Sequence, residues 1–538
     1  LPVHEFPLYL SFHLIHMLRI LTFILVVGQA GAQPYDLLIR NGKVVDGTGN
    51  PWFYADVAIK DGRIAHIGKL DTAQAARVID ATGLIVCPGF IDVHTHIEGS
   101  VLEVPTAGNF VLDGVTSVVT GNCGSSAVDI EKFWRQLDSV KISLNVATLI
   151  GHNSVRRAVM GDEQRDPTPD ELARMQQLVE KGMKAGAVGL ATGLIYVPGT
   201  YAKTDEVVAL AQVAAQHNGV YASHIRDEGD KVLEAIEEAI NTGRLARLPV
   251  QISHFKVTYK PNWGRSVQTL ERVEEARKQG IDVTIDQYPY IASSTTLGTT
   301  MPSWAFGGGR DSLLWRLQDR KTRQRIISEM TDMLRQKQLK NFSYAVVARY
   351  APDSTYNGKS ITEINRLKGR KPRPQDEAET ILELVASTDR VQMVYFSMNE
   401  EDLRRIAQYP FNMFASDAGI NKYGAGMPHP RAYGTNARVL GTYVRDLKLI
   451  RLEEAIRRMT SLPATRFGFA DRGLLRQGYA ADVVIFDEKT VGDRATFDKP
   501  HAYSAGFSYV IVNGVITAEN GKHTGARNGV LLKHRLGR

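Results

Sequence analysis

Six side chains of this 538-residue chain have the chemistry of zinc ligands. His94 and His96 close the apolar run "FIDVHTH", Cys123 lies in "TGNCGSS", His224 ends "VYASH", His254 ends "VQISH", and Asp417 follows "FAS". On a strand, His94 and His96 point to the same side, because side chains alternate with a period of two. Six donors exceed the three or four that one catalytic zinc uses, so the count points to two metals, with the cysteine bridging them as a thiolate. The chemistry of such a centre is hydrolysis. Zinc brings the pKa of a bound water down to about 7 and polarises the carbonyl under attack, while a carboxylate at Asp417 takes the water's proton and passes it to a leaving amine. Taken singly, each residue has a plainer reading, as a core histidine, a helix-capping aspartate or a small buried cysteine. Shared position decides between the readings, since each of the six closes or follows a candidate strand. His66, His217 and His501 lack that position and read as structural; His429 belongs to a loop taken up below.

The elements that must position these groups are legible as apolar runs. From Phe90 onward the pattern is strand, loop, helix, strand, the sign of parallel βα units. Eight strands are expected at "FIDVHTH", "TSVVTGN", "LNVATLIGH", "AVGLATG", "VYASH", "VQISH", "VTIDQYP" and "FNMFASD". Segments between them, such as "DKVLEAIEEAINTG" and "TLERVEEARKQG", have helical periodicity and end in glycine. Eight units close into a (β/α)8 TIM barrel, whose active site lies at the carboxyl ends of its strands. At the amino end, Asn41-Gly42 and Asp61-Gly62 each separate alternating apolar runs, which predicts type I′ hairpins, and "YVIVNGVITAENGKHTG" repeats the idiom near the carboxyl end. The fold class expected is therefore α/β: a TIM barrel over 90–474 with a small β-sandwich built from both chain ends, 33–89 and 475–538. An inserted subdomain at about 300–397 follows the seventh strand, where extra helix and strand patterns interrupt the repeat.

Composition excludes disorder: 43% of residues are hydrophobic and 23% charged. A net charge of +7 carries little weight for nucleic-acid binding, because 58 acidic residues are interspersed among 65 basic ones and no recognition motif accompanies the basic loop "RLKGRKPRP". Residues 1–32 read as a leader whose functional start is Met17: Arg19, an apolar core over 20–27, then Ala30-Gly31-Ala32 as a cleavage site. The apolar core is shorter than the roughly 20 residues of a membrane span. An exported protein, periplasmic or secreted, with no stable membrane span and Gln33 as its first mature residue is expected. Cys87 and Cys123 are the only cysteines, and a disulfide between them competes with metal binding; their unlike settings, an apolar run and a glycine-flanked loop, favour the metal.

In order along the chain, "PGFIDVHTH", "GVTSVVTGNCG", "ATGLIYVPGTYA", "YASHIRDEGD", "SHFK", "DQYPY", "SDAG" and "HPRAYGTNARVLG" resemble the N-acyl-D-amino-acid deacylase (D-aminoacylase) family of the amidohydrolase superfamily, from about Tyr35 to the end. The resemblance implies that Cys123, His224 and His254 hold a tightly bound zinc. It makes His94 and His96 a second, weaker site that shares Cys123 and Asp417, with Asp417 as the catalytic acid/base. Lys256, Tyr288, Ser294 and Arg431 resemble the clamp for the α-carboxylate of a small-molecule substrate. A cyclic-amide hydrolase or dipeptidase on the same scaffold, and a non-catalytic binding scaffold, are the competing readings. Two segments depart from the family. "IEGSVLEVP" follows the second histidine where an acidic pair is usual, with Glu98 nearest to it, and "NKYGAGMP" before "HPR" is shorter and less acidic. They leave the ligands intact and the preferred side chain and acyl group open.

Overall fold

The computed structural model describes residues 1–2, 35–70, 74–388 and 390–534; the leader read in residues 17–32 lies outside them. Two parallel arcs form the barrel. Phe90–Asp92, Val115–Thr120 and Asn145–Thr148 make one, and Ile150–Gly151, Gly189–Gly193, Val220–His224, Val250–Ile252, Val283–Gln287 and Asn412–Phe414 the other. Leu149 joins the arcs within the third strand. The eighth strand closes on the first through the Thr95–Ala418 bridge, where Asp417 N donates to His94 O and His96 N to Ala418 O, both at 2.9 Å. The eight expected strands thus enclose one barrel. They are legible because strands covered on both faces are continuously apolar; Val115–Thr120 is buried at every residue. Helices cover the outside by burying one stripe each. In Pro169–Lys184, Thr168 and Glu171 form a reciprocal capping box and Met175, Val179 and Met183 face the core.

Both chain ends build the β domain: nine strands hydrogen-bonded in one sheet around Leu37, Ile39, Val57, Ile59, Val86, Ile485 and Ile511. Between the seventh and eighth barrel strands sits a unit with its own core and an antiparallel sheet of Ser293–Thr296, Gln392–Tyr395 and Ala345–Arg349. Its first strand starts upstream of residue 300. Among the described residues no helix is long and apolar enough to cross a membrane.

Two local expectations are corrected. Asn41-Gly42 is no hairpin turn: Tyr35–Val44 runs through it as one strand, and the left-handed Asn41 (φ 59°) makes a bulge where the register with the next strand shifts. Asp61-Gly62 does turn, with φ of 49° and 72°. Gly243 does not end its helix; Val232–Ala246 continues past it, and the glycine is needed because a Cβ there would lie 2.1 Å from Val250 Cγ2. Cys87 and Cys123 are both free thiols, as their unlike settings in the sequence led one to expect.

Barrel closure depends on a buried carboxylate. Asp92 accepts N–H bonds from His94 (3.1 Å) on its own strand and from Ser416 (3.0 Å) beside the eighth, so one side chain sets the spacing of His94 and Asp417. Burial pushes this carboxyl up to about 6, opposed by the bonds from Ser416 and His94. Asp92→Ala should leave both N–H groups unsatisfied, at a cost of about 2–4 kcal/mol. A thermal scan should show Tm lowered by several degrees, and an unchanged Tm would remove Asp92 from the closure.

Candidate metal centre and substrate cavity

All six expected ligands lie at the carboxyl end of the barrel. Cys123 is the hub: its Sγ lies 3.3 Å from His94 Nε2, 3.5 Å from His224 Nδ1 and 3.5 Å from His254 Nε2. Three imidazole nitrogens and one sulfur converge on a single point, the arrangement of a metal's ligands rather than of one hydrogen-bonded pair. Two donors on one tetrahedral zinc, with Zn–N of about 2.0 Å and Zn–S of about 2.3 Å, stand about 3.5 Å apart. The donor set fits a zinc ion. A second set adjoins the first: Asp417 Oδ1 is 3.1 Å from His96 Nε2 and 3.5 Å from His94 Nε2. The ligand atoms of His94, Cys123 and His254, and separately those of His94, His96 and Asp417, lie within 4.8 Å of one another.

Holding these atoms so close requires unusual backbone. Cys123 (φ 52°), His254 (φ 36°) and Asp417 (φ 51°) all occupy the left-handed region, which costs a non-glycine residue on the order of 1 kcal/mol or more. Each follows a strand and turns its side chain back over the barrel mouth. The glycine beside Cys123 serves the same turn, since a Cβ on Gly124 (φ 74°) would meet Asn153 Oδ1 at 2.0 Å.

In the bare protein the thiol and the carboxylate are held ionised while His94, His96 and His254 are drawn toward their protonated forms, so a metal that binds here displaces those protons. Burial opposes ionisation of Cys123, yet His94, His254 and His224 bring its thiol well below the ordinary range. Burial likewise opposes the Asp417 carboxylate, and Arg431, whose guanidinium lies 2.8 Å from Oδ2, with His94 and His96, hold it well below the usual carboxylate range.

Three carboxylates orient the ligands, and none was singled out from the sequence. Besides Asp92, Asp286 of "DQYPY" accepts the backbone N–H of His254 at 2.7 Å and faces His94 Nδ1 at 3.5 Å. Glu228, four residues after His224 in "YASHIRDEGD", lies 3.0 Å from His254 Nδ1 and leaves Nε2 to face the centre. The available signal was position: each acid lies within a motif that also carries a ligand or a clamp candidate.

A cavity of about 440 Å³ opens over His96, Cys123 and Asp417. Of the four carboxylate-clamp candidates, Arg431 and Ser294 line it, and Arg431 Nη2 donates to Ser294 O at 3.3 Å. The other two do not line it. The Lys256 ammonium, 4% exposed, is bound by Glu228 at 2.5 Å and His254 Nδ1 at 2.8 Å. Tyr288 lies under the Arg431 guanidinium, 4.4 Å from the ring centre, and so supports the arginine. Tyr196 was missed altogether. Its ring packs 4.8 Å from that of His224, it lines the cavity, and its hydroxyl accepts from Thr295 at 2.9 Å, leaving its own proton to donate.

Comparison with known proteins identifies the family. Residues 77–518 match the model of the amidohydrolase family. The chain is 35% identical to a D-aminoacylase of Alcaligenes xylosoxydans xylosoxydans, over 94% of this chain and 99% of the relative. The crystal structure of an N-acyl-D-glutamate deacylase from Bordetella bronchiseptica, complexed with zinc and a phosphonate mimic of the tetrahedral intermediate, superposes with a TM-score of 0.79 at 35% identity, covering 93% of this chain and all of that one. A D-aminoacylase structure with a binuclear metal centre gives a TM-score of 0.78 at 34% identity over 93% and 100%.

Removing the hub should empty the centre. Purified Cys123→Ala should carry less than about a tenth of the wild-type metal by elemental analysis, since no neighbouring group replaces a thiolate that several imidazoles share. Full metal loading of the variant would make the cysteine structural.

Proposed function

The chain belongs to the amidohydrolase family, in its N-acyl-D-amino-acid deacylase branch, and on that premise we propose that it is a zinc hydrolase cleaving the amide of N-acyl-D-amino acids. The observation that carries the proposal is one sulfur faced by three imidazoles, beside a carboxylate that also touches a buried arginine. Cys123, His224 and His254 would hold one zinc; His94 and His96, with Cys123 and Asp417, would hold a second. Zinc bound there supplies Lewis acidity, bringing a water's pKa to about 7 and polarising the scissile carbonyl.

The remaining steps belong to the protein. Asp417, kept ionised by Arg431, accepts the proton of the attacking water. As the C–N bond breaks, Asp417 returns that proton to the leaving amine nitrogen. Products are a carboxylic acid and a free amino acid. Arg431 holds the α-carboxylate, aided by the Tyr288 ring beneath it, and its Asp417 contact sets the distance between carboxylate and scissile bond. With carboxylate and carbonyl both fixed, only one Cα configuration directs the side chain into the cavity. Tyr196, with its hydroxyl proton free, is placed to donate to the carbonyl oxygen as charge develops on it. Lys256 reaches His254 through Glu228 and does not line the cavity.

Export is part of the proposal, and rests on residues 17–33. Amino-terminal sequencing of protein recovered outside the cytoplasm should begin at Gln33, whereas an intact Met17 start would refute the processing.

The activity is tested by assaying purified, zinc-loaded protein on N-acetyl-D- and N-acetyl-L-amino acids beside hydantoins. Release of amine from the D series alone is expected. Equal turnover of both enantiomers would defeat the clamp, and hydrolysis of hydantoins instead would move the protein to cyclic amides. Asp417→Asn should retain metal at the Cys123 site while kcat falls by about 10² or more; undiminished turnover would take Asp417 out of the mechanism.

A further inference from the structure

A clamp at Arg431 works only if it stands at a set distance from Asp417, and the 2.8 Å contact between the two does not hold that distance alone. A substrate carboxylate competes for the same guanidinium, so the pairing with Asp417 weakens as substrate binds. Nor does the chain between them hold it. That loop is exposed over residues 422–425 and contains three glycines, of which Gly424 and Gly426 have φ of 82° and 72°.

The tie is a buried amide on a different element. Asn109 lies in the short helix Gly108–Val111 between the first two barrel strands, 2% exposed, beside the buried hydrophobics Phe110, Val111 and Leu112. A polar group is costly there unless it is hydrogen-bonded, so its partners account for its presence. Its Nδ2 donates to Ala432 O at 2.8 Å and to Gly419 O at 3.2 Å, and its Oδ1 accepts from Asn421 N at 3.3 Å. Two carbonyls and one N–H fix which way the amide faces. Ala432 directly follows Arg431, while Gly419 and Asn421 come shortly after Asp417. All three partners line the catalytic cavity, and Asn109 does not. Gly419 is itself seated on the metal side, since a Cβ there would lie 2.9 Å from the His96 carbonyl oxygen. One side chain thus joins the backbone carrying the clamp to the backbone carrying the reacting groups. Other ties of the Arg431 helix run elsewhere: His429 links it to Ala292, Asp113 holds its second turn, and His501 joins Tyr433 to the outer loop at Gly424 and Gly426.

We propose that Asn109 is a positioning residue: it fixes the carboxylate clamp relative to Asp417 and the metal ligands, and so confines the substrate to acylated amino acids whose carboxylate and amide share one carbon. This rests on the deacylase reading, with Arg431 as the clamp, and adds a specificity determinant to that site.

The test is a double-mutant cycle on the zinc-loaded full chain with N-acetyl-D-leucine: wild type, Asn109→Leu, Arg431→Gln and the double variant. Leucine is close to asparagine in size and makes none of the three bonds. Asn109→Leu should lower kcat/KM by about tenfold with zinc content unchanged. In the Arg431→Gln background the same substitution should change kcat/KM by less than about twofold, because the group it positions is already gone. An equal loss in both backgrounds, loss of zinc, or no loss in either would overturn the proposal. A measurement on wild type stands even where a variant fails to fold. N-acetyl-β-homoleucine, whose carboxylate is one methylene further from the amide-bearing carbon, should have kcat/KM lower by about 10² or more, and turnover equal to that of N-acetyl-D-leucine would contradict a fixed reach. Failures of the underlying reading look different. Hydrolysis of no N-acyl-D-amino acid would sink the deacylase reading, and an Arg431→Gln variant as active as wild type would remove the clamp, whereas an additive cycle with a working clamp removes Asn109 alone.

Discussion

One buried sulfur organises this molecule. Cys123 sits where desolvation alone would keep it a neutral thiol, yet three imidazoles aim ring nitrogens at it from 3.3 to 3.5 Å. That arrangement takes four polar side chains out of water at one point, which costs free energy in the bare protein and is offset when a cation joins them. The rest of the site follows from meeting that requirement. The imidazoles come from the first, fifth and sixth strands and the thiol from the loop after the second, so no local segment can assemble the group and only a closed barrel does so.

Closure alone is too coarse to set contacts of this kind, and a layer of carboxylates refines it. Asp92 ties the first strand to the residue before Asp417, Asp286 ties the seventh to the backbone of His254, and Glu228 sets the ring of His254. Lys256 neutralises Glu228 in turn. Left-handed backbone at Cys123, His254 and Asp417 is the strain the fold tolerates so that side chains from parallel strands can bend over a common point. Arg431 then links catalysis to recognition, because the guanidinium that balances Asp417 also stands at the cavity wall where a carboxylate would dock.

Much of this was legible from residue types. All eight barrel strands are readable because burial on both faces removes polar residues from them, and the candidate ligands are readable because six metal-binding side chains share one position, at or just after strand ends, although each alone has plainer purposes. What escaped was conformational or relational. Asn-Gly marks positive φ, which a bulge at Asn41 and a turn at Asp61-Gly62 both need, so the dipeptide alone does not choose between them. Gly243 looks like a helix end but is a point of close approach to Val250, a contact between elements. Lys256 carries the charge a clamp requires, and its direction was settled by Glu228, whose part depends on folding back from the end of another strand. Tyr196 stands in a quoted motif without any titratable signal to mark it.

X-ray absorption at the zinc edge of the purified, zinc-loaded protein bears most directly on the arrangement around Cys123. The account expects one sulfur at about 2.3 Å together with nitrogen and oxygen at about 2.0–2.1 Å. A spectrum fitted by nitrogen and oxygen alone would contradict it, because the sulfur on which every other contact in the site converges would then lie outside the metal's reach.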